Sequence, residues 1–381
     1  MKEIKNKYIN RLERIPQIAD KERKALQKVA DEYAFRVSDY YLSLIDWDDA
    51  NDPIRRLVIP QNGELDGWGE LDPSNEEAYT KAPGLQHKYR GTALLLVNDV
   101  CGAYCRFCFR KRLFMDANDE VTRDISEGLE YIREHREINN VLLTGGDPLV
   151  MSTKKLESII GRVREIDHVK IIRIGSKMLA FNPFRVLDDP SLLEMLSKYS
   201  EGKRKIYLMA HFNHPRELTP EAVEAVNRVM KAGVIVMNQT PLIQGVNDNP
   251  YVLSELFNEL SYMGVAPYYV FQCRPTSGNK MFSLPLEQAY EIFEKAKSMC
   301  SGLGKRARFA MSHATGKIEV VGKMEGHIFF KYHRAPNKAK RSTLLAYKSN
   351  PKARWFDDYN DKDRVISLEK ERVPFVSVDS Y

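Results

Sequence analysis

The stretch Ala93-Leu94-Leu95-Leu96-Val97-Asn98-Asp99-Val100-Cys101-Gly102-Ala103-Tyr104-Cys105-Arg106-Phe107-Cys108 joins a short apolar run to a loop bearing three cysteines. The run has the length and residue types of a buried strand. The loop has the spacing C-x3-C-x2-C, with Phe107 just before the last cysteine. Three thiolates on one tight loop can hold three irons of a [4Fe-4S] cube and leave the fourth iron open. An open iron can bind and reduce a small molecule, for which S-adenosylmethionine (SAM) is the candidate. Structural zinc prefers four ligands, usually as two C-x2-C-like knuckles, and no second cysteine pair exists here. Cys273 and Cys300 stand far apart, and five cysteines in 381 residues do not make a secreted disulfide framework.

Outward from that strand, the chain alternates strand and helix signals from about 91 to 311. Apolar runs fall at 93–97, 140–143, 169–174, 205–210, 234–237 and 266–271. Helical patterns lie between them. From Ser152 to Ile166, Ser152 can cap while Leu156, Ile159, Ile160, Val163 and Ile166 form a buried stripe. From Thr219 to Ala232, Thr219 suits the N-cap, Pro220 the first helical position and Gly233 the exit. Six such βα units with right-handed crossovers predict an α/β fold, a partial (β/α)6 TIM-like barrel. A doubly wound sheet is the competing architecture, but no G-x-G-x-x-G follows any strand.

Barrel active sites gather at the C-terminal ends of the strands. Here those ends carry the cysteines, Thr144-Gly145-Gly146-Asp147-Pro148, Arg173-Ile174-Gly175-Ser176, His211-Phe212-Asn213-His214, Asn238-Gln239-Thr240 and Gln272-Cys273-Arg274. Each alone is ordinary. Six together are hard to attribute to folding.

Residues 1–90 read as an N-terminal extension, with an amphipathic helix from Asp20 to Arg36 and a loop-rich segment from Trp47 to Gly84. Residues 91–311 are the barrel, and 312–381 hold one lysine of interest and a basic tail. From Lys331 to Arg354 there are eight Lys or Arg and no acid, which reads as a solvated surface segment. A net charge of +6 is too mild to indicate a nucleic-acid partner. No run of about 18 apolar residues predicts a membrane span. The first residues are charged and do not look like a signal segment, so reduced thiols point to the cytoplasm.

Several stretches closely resemble the lysine 2,3-aminomutase family of radical SAM enzymes. They are PGLQHKY at 83–89, LLLVNDVCGAYCRFCFRKR at 94–112, VLLTGGDPL at 141–149, IIRIGSK at 171–177, HFNHPREL at 211–218, NQTPLIQGVND at 238–248 and PYYVFQC at 267–273. The resemblance implies two cofactors besides the [4Fe-4S] cluster. SAM is reduced there to a 5′-deoxyadenosyl radical, and pyridoxal 5′-phosphate (PLP) holds the substrate amine as an aldimine. The radical takes a hydrogen from the β-carbon, the nitrogen moves from C2 to C3, and SAM is regenerated. Cofactors carry the hard chemistry and the protein supplies positioning and electrostatics. The implied partners are a small amino-acid substrate and an external one-electron reductant of flavodoxin or ferredoxin type. A homo-oligomer is left open.

The same resemblance implies roles for single residues. Cys101, Cys105 and Cys108 hold the cluster. Gly145, Gly146 and Asp147 match the SAM-amine strand end, where glycine admits close backbone approach. His211 and Gln239 match positions lining the SAM and PLP cavity. Arg110 matches the carboxylate-binding arginine, whose fork suits two parallel bonds. Lys88 and Tyr89 match the pair on the PLP side, but Thr92 stands where the family usually has a further arginine. That shifts phosphate anchoring toward Lys88 or Arg90. Family members carry a glycine-rich run ending in Lys, and Met311-Ser312-His313-Ala314-Thr315-Gly316-Lys317 keeps its Gly-Lys step. Lys317 is therefore the expected PLP lysine, since a lysine in an apolar pocket can form a Schiff base.

Two departures bear on the substrate. Lysine-specific members place an Asp after the Gln-Cys of strand six, where this chain has Arg274. A second Asp before the glycine run is also absent. A buried cation facing a lysine ammonium is costly. The expected substrate is thus an amino acid other than lysine, with glutamate the simplest complement to Arg274. The alternative is a radical SAM enzyme of the same family that catalyses a different reaction, without PLP.

Overall fold

Seven parallel strands stand in chain order within one twelve-stranded sheet, among the described residues 7–115 and 119–359 of a computed structural model. The chain opens with a small antiparallel pair, β1 (Tyr8–Ile9) and β2 (Val37–Ser38). Two short strands, β3 (Thr80–Ala82) and β4 (Leu85–Tyr89), then lead antiparallel into the parallel run. That run is β5 (Thr92–Asn98), β6 (Asn140–Gly145), β7 (Ile171–Ser176), β8 (Ile206–Ala210), β9 (Ile235–Leu242), β10 (Ala266–Gln272) and β11 (Arg308–His313). All six predicted strands are present, and β11 adds a seventh. The order never reverses, so there is no switch point of the doubly wound kind.

The helices follow from their sequences. Ser152 Oγ accepts from Lys155 N at 3.4 Å and Thr219 Oγ1 from Ala222 N at 3.1 Å, so both predicted caps form. Leu156, Ile160 and Val163 of the helix Thr153–Arg164 are buried, as are Ala222, Ala225, Val226 and Val229 of Pro220–Lys231. These faces pack with Val141, Leu143, Ile172, Ile174, Ile206 and Leu208 of the strands in one continuous core.

The sheet curls strongly enough to bring its far ends together. Six interstrand spacings of ~4.8 Å would put β5 about 29 Å from β11 in a flat sheet. Instead Arg334 Nη2 donates to Thr92 Oγ1 on β5 at 2.9 Å. Lys88 Nζ on β4 donates to His313 O on β11 at 2.7 Å. Ser74 Oγ reaches Ser312 O and Tyr79 Oη reaches Ala314 O, both at 2.9 Å. The barrel is open as a hydrogen-bonded sheet, and side chains close its seam.

The N-terminal helix spans Asp20–Glu32 and ends four residues earlier than predicted. Beyond it the chain turns extended at Tyr33, which packs inward. This region clamps the cysteine loop. Arg106 and Glu64 are almost wholly buried and pair through both guanidinium and both carboxylate atoms at 2.9–3.1 Å. Arg106 also donates to Ala34 O, and its backbone N–H donates to Leu57 O.

The C-terminal reading is corrected. Residues 312–348 are no solvated tail: β11 turns into the antiparallel strands β12 (Gly316–Met324), β13 (His327–Arg334) and β14 (Leu344–Lys348) of the same sheet. Ile328, Phe330 and Tyr332 alternate inward between the charges and join a core with Phe309, Ile318 and Trp355. The rest of the predicted tail, 360–381, lies outside the described residues.

Candidate active site

The cysteine loop leaves β5 and is gripped from β6. Gly146 N–H donates to Asn98 O at 2.5 Å, and Asp147 N–H to Val100 O at 2.9 Å. Gly145 has φ +112°, and a Cβ there would stand 2.5 Å from Asn98 O. A Cβ on Gly146 would meet Val100 O at 2.6 Å. These glycines are thus needed for the backbone of β6 to press on the segment entering Cys101. Asp147 accepts from Leu149 N, Ser176 Oγ and Lys177 N at 2.7–3.0 Å, tying the ends of β6 and β7 together. Burial nevertheless pushes its carboxyl up to about 6.

The residues present fit a cluster. Cys101, Cys105 and Cys108 are free, and Cys108 Sγ accepts from Arg110 N at 3.4 Å. Among the described residues no three His, Cys, Asp or Glu side chains gather tightly enough for a single metal ion. Three thiolates that each hold a separate iron need no such gathering. Cys300 bonds to Ala296 O just past the end of the helix Leu286–Ser298, and Cys273 is buried in the core that packs beneath the cysteine loop.

Two residues past Cys108, Arg110 is engaged by an acid the sequence did not single out. Its Nε and Nη2 each reach Glu76 at 3.0 Å, and its Nη1 reaches Thr144 Oγ1 at 3.1 Å. Arg112 donates to the same carboxylate at 2.7 Å, and Arg274 Nη1 stands 4.0 Å from it. Burial alone would raise the Glu76 carboxyl, but Arg110, Arg274 and Arg112 outweigh it and hold it well below the usual range. The Arg274 guanidinium lies 3.6 Å over the Phe109 ring, and its buried Nη1 has no hydrogen-bond partner.

Lys317 lies on β12, and its amine sits over the rings of Tyr269 (4.1 Å) and Phe271 (4.6 Å) on β10. Burial, then Arg173, Arg334, Arg274 and Lys88, holds its pKa well below that of an ordinary lysine. No carboxylate pairs with it among the described residues. An amine with a depressed pKa among several basic side chains is the donor set expected for a carbonyl cofactor bearing a phosphate, so the residues fit PLP.

His211 and Gln239 meet across β8 and β9, His211 Nε2 to Gln239 Nε2 at 2.8 Å. Burial and the nearby Lys177 hold His211 down to about 3, so it stays neutral. Their neighbours hold loops. Lys177 Nζ bonds His211 O, Asn213 Oδ1 and Glu217 Oε1, while Asn247 Nδ2 bonds Asn213 O and Thr240 Oγ1.

The structure thus brings Arg110, Arg274, Lys88, Tyr89 and Lys317 together around the seam, with Lys88 and Tyr89 reaching it from β4 and Lys317 from β12. Arg90 is exposed, whereas Lys88 and Tyr89 are partly buried. Glu76 and Arg334 were missed. Glu76 is one acid in a segment read as loop, and Arg334 is one of eight basic residues. Side-chain contacts across the fold reveal Glu76, and strand register reveals Arg334.

The Radical SAM superfamily model matches residues 95–254, from β5 to the helix after β9. A provisionally named L-lysine 2,3-aminomutase of Aquifex aeolicus (strain VF5) is 59% identical over 94% of this chain and 96% of its own length. The L-lysine 2,3-aminomutase of Fusobacterium nucleatum is 38% identical over 79% of this chain and 70% of its own length. The glutamate 2,3-aminomutase of Clostridioides difficile is 36% identical over 77% and 69%. With the cysteine loop, the strand ends and these relatives in agreement, the chain belongs to the lysine 2,3-aminomutase family of radical SAM isomerases.

Proposed function

We propose that this aminomutase acts on an acidic α-amino acid, glutamate ahead of lysine, with PLP carried on Lys317. The carrying observation is Arg274: a buried cation with an unpartnered N–H beside the Arg110 fork. An unmet buried charged donor costs about 1–3 kcal/mol or more. A second substrate carboxylate would satisfy it, whereas a lysine ammonium would face like charge.

When bound, the cluster and SAM supply a hydrogen-abstracting radical, and PLP supplies a carrier for the migrating nitrogen. The chain's own residues do the rest. Arg110 grips the α-carboxylate through its planar fork. Arg274 takes the side-chain carboxylate, with Phe109 beneath its guanidinium. Glu76 holds both arginines in place until substrate arrives and shares them afterwards. Lys317 offers an unprotonated amine, and Tyr269 and Phe271 keep water from it. An external reductant of flavodoxin or ferredoxin type delivers the electron, and reduced thiols suit the cytoplasm.

The test is anaerobic reconstitution with iron, sulfide, SAM, PLP and a reductant, followed by a panel of α-amino acids. Mass-neutral conversion of glutamate to its β-isomer, faster than any conversion of lysine, is expected. Faster turnover of lysine would remove the assignment.

A further inference from the structure

Lys317 and Arg334 are direct cross-strand partners on β12 and β13. Like charges directly opposite one another destabilise an antiparallel pair. Neither side chain has a carboxylate partner among the described residues, nor has Arg173, whose Nε bonds Asn140 Oδ1, nor Lys88. A guanidinium opposite the Lys317 amine, with two more basic side chains nearby and no ion pair made by any of the four among the described residues, describes a seat for an anion.

Arg334 is held as a binding group would be. Its guanidinium stacks 4.4 Å over the Tyr89 ring, and Nη2 donates to Thr92 Oγ1 at 2.9 Å. That leaves most of its five N–H donors for a ligand. Gly316 lets the turn before Lys317 come this close, since a Cβ there would stand 2.4 Å from Arg334 O. Cβ atoms of opposed strand residues are about 5 Å apart. One small ligand can therefore meet both side chains at once.

We infer that Arg334, supported by Arg173, binds a phosphate monoester, and that the C-terminal hairpin β12–β13 thereby anchors the phosphate of PLP across from Lys317. The inference rests on the PLP reading above. It assigns the phosphate to a strand near the end of the chain and not to the segment after Tyr89, where Thr92 stands. The guanidinium fork matches phosphate oxygens in pairs. Because the same side chain closes the barrel seam at Thr92, cofactor binding and docking of the hairpin become one event.

The experiment titrates apo-protein with pyridoxal phosphate and, separately, with pyridoxal, reading equilibrium affinity and borohydride fixation at Lys317 by mass spectrometry. Wild type should prefer the phosphate ester. Arg334→Ala should weaken pyridoxal phosphate by roughly 10- to 100-fold and leave pyridoxal unchanged, with Arg334→Lys between. In wild type, hydrogen exchange across 316–334 should slow more with pyridoxal phosphate than with pyridoxal, which tests the idea even should the variant fail to fold. Equal losses for both ligands, unchanged phosphate affinity in Arg334→Ala, or equal protection by both ligands would overturn it. Wild type that captures neither ligand at Lys317 would instead remove PLP itself, and this inference with it.

Discussion

Arg274 and Lys317 show how little a residue's type says without its surroundings. An arginine facing Phe109 and sharing Glu76 with Arg110 and Arg112 would, on the proposed reading, select for negative charge. Changing Arg274→Asp should reverse the preference, raising lysine over glutamate on the order of 100-fold or more, because the like-charge cost of several kcal/mol changes sides. Competition between the two labelled substrates reads it directly. Lys317 carries a second prediction. Its folded pKa is depressed by burial and by four cations. The unprotonated fraction therefore persists well below the pH where an exposed lysine gains its proton. The rate of pyridoxal phosphate capture should begin to fall only at a pH below that at which an exposed lysine gains its proton, and a fall centred near that of free lysine would contradict it. One Gly-Lys step pointed to the lysine, and the structure places it buried against Tyr269 and Phe271. Its cation ring was not legible, since Arg173 and Arg334 lie 144 and 17 positions away in sequence.

At the scale of elements, the cysteine loop depends on a helix and a 3-10 turn that precede it. Arg106 stands inside the C-x3-C-x2-C run, yet its side chain turns away to Glu64. Removing one partner of a buried pair strands the other charge, at about 3–5 kcal/mol. Glu64→Ala should lower the unfolding midpoint accordingly and reduce iron incorporation, measured by denaturant titration and by iron content per chain. The barrel strands were readable because each is a short apolar run bounded by caps and breakers, as Thr219 and Ser152 illustrate. Strand β13 was hidden by its charges. Ile328, Phe330 and Tyr332 keep a period of two, but Lys331, His333 and Arg334 dominate a count of basic residues. Alternation, weighed ahead of charge, would have found it.

For the molecule as a whole, stability depends on pH through His211 at the end of β8 and Glu76, which lies between Ser74 and Tyr79 beside the seam at β5 and β11. His211 is held neutral with a folded pKa of about 3, below its unfolded value of 6.5. Glu76 is held ionised, well below its ordinary 4.5. In both cases the unfolded chain binds more protons than the folded one on the acid side, so stability falls as pH falls. The loss should begin near pH 6.5 from His211 and steepen below pH 4.5 as Glu76 contributes. Chemical denaturation of the apo-protein across pH 3–8 should follow that course. A His211→Gln variant should make the first part shallower, leaving the share of His214 and His333, whose burial also lowers their pKa values, and should not touch the second.

The same seam sets an order on biogenesis. The thiolates leave the ribosome early, whereas the strands bearing Lys317 and Arg334 follow more than 200 residues later. At ~5–20 residues per second that interval is on the order of tens of seconds. During it the cysteine loop is already exposed, so iron–sulfur delivery would be free to proceed before the berth proposed for the vitamin-derived cofactor has been translated.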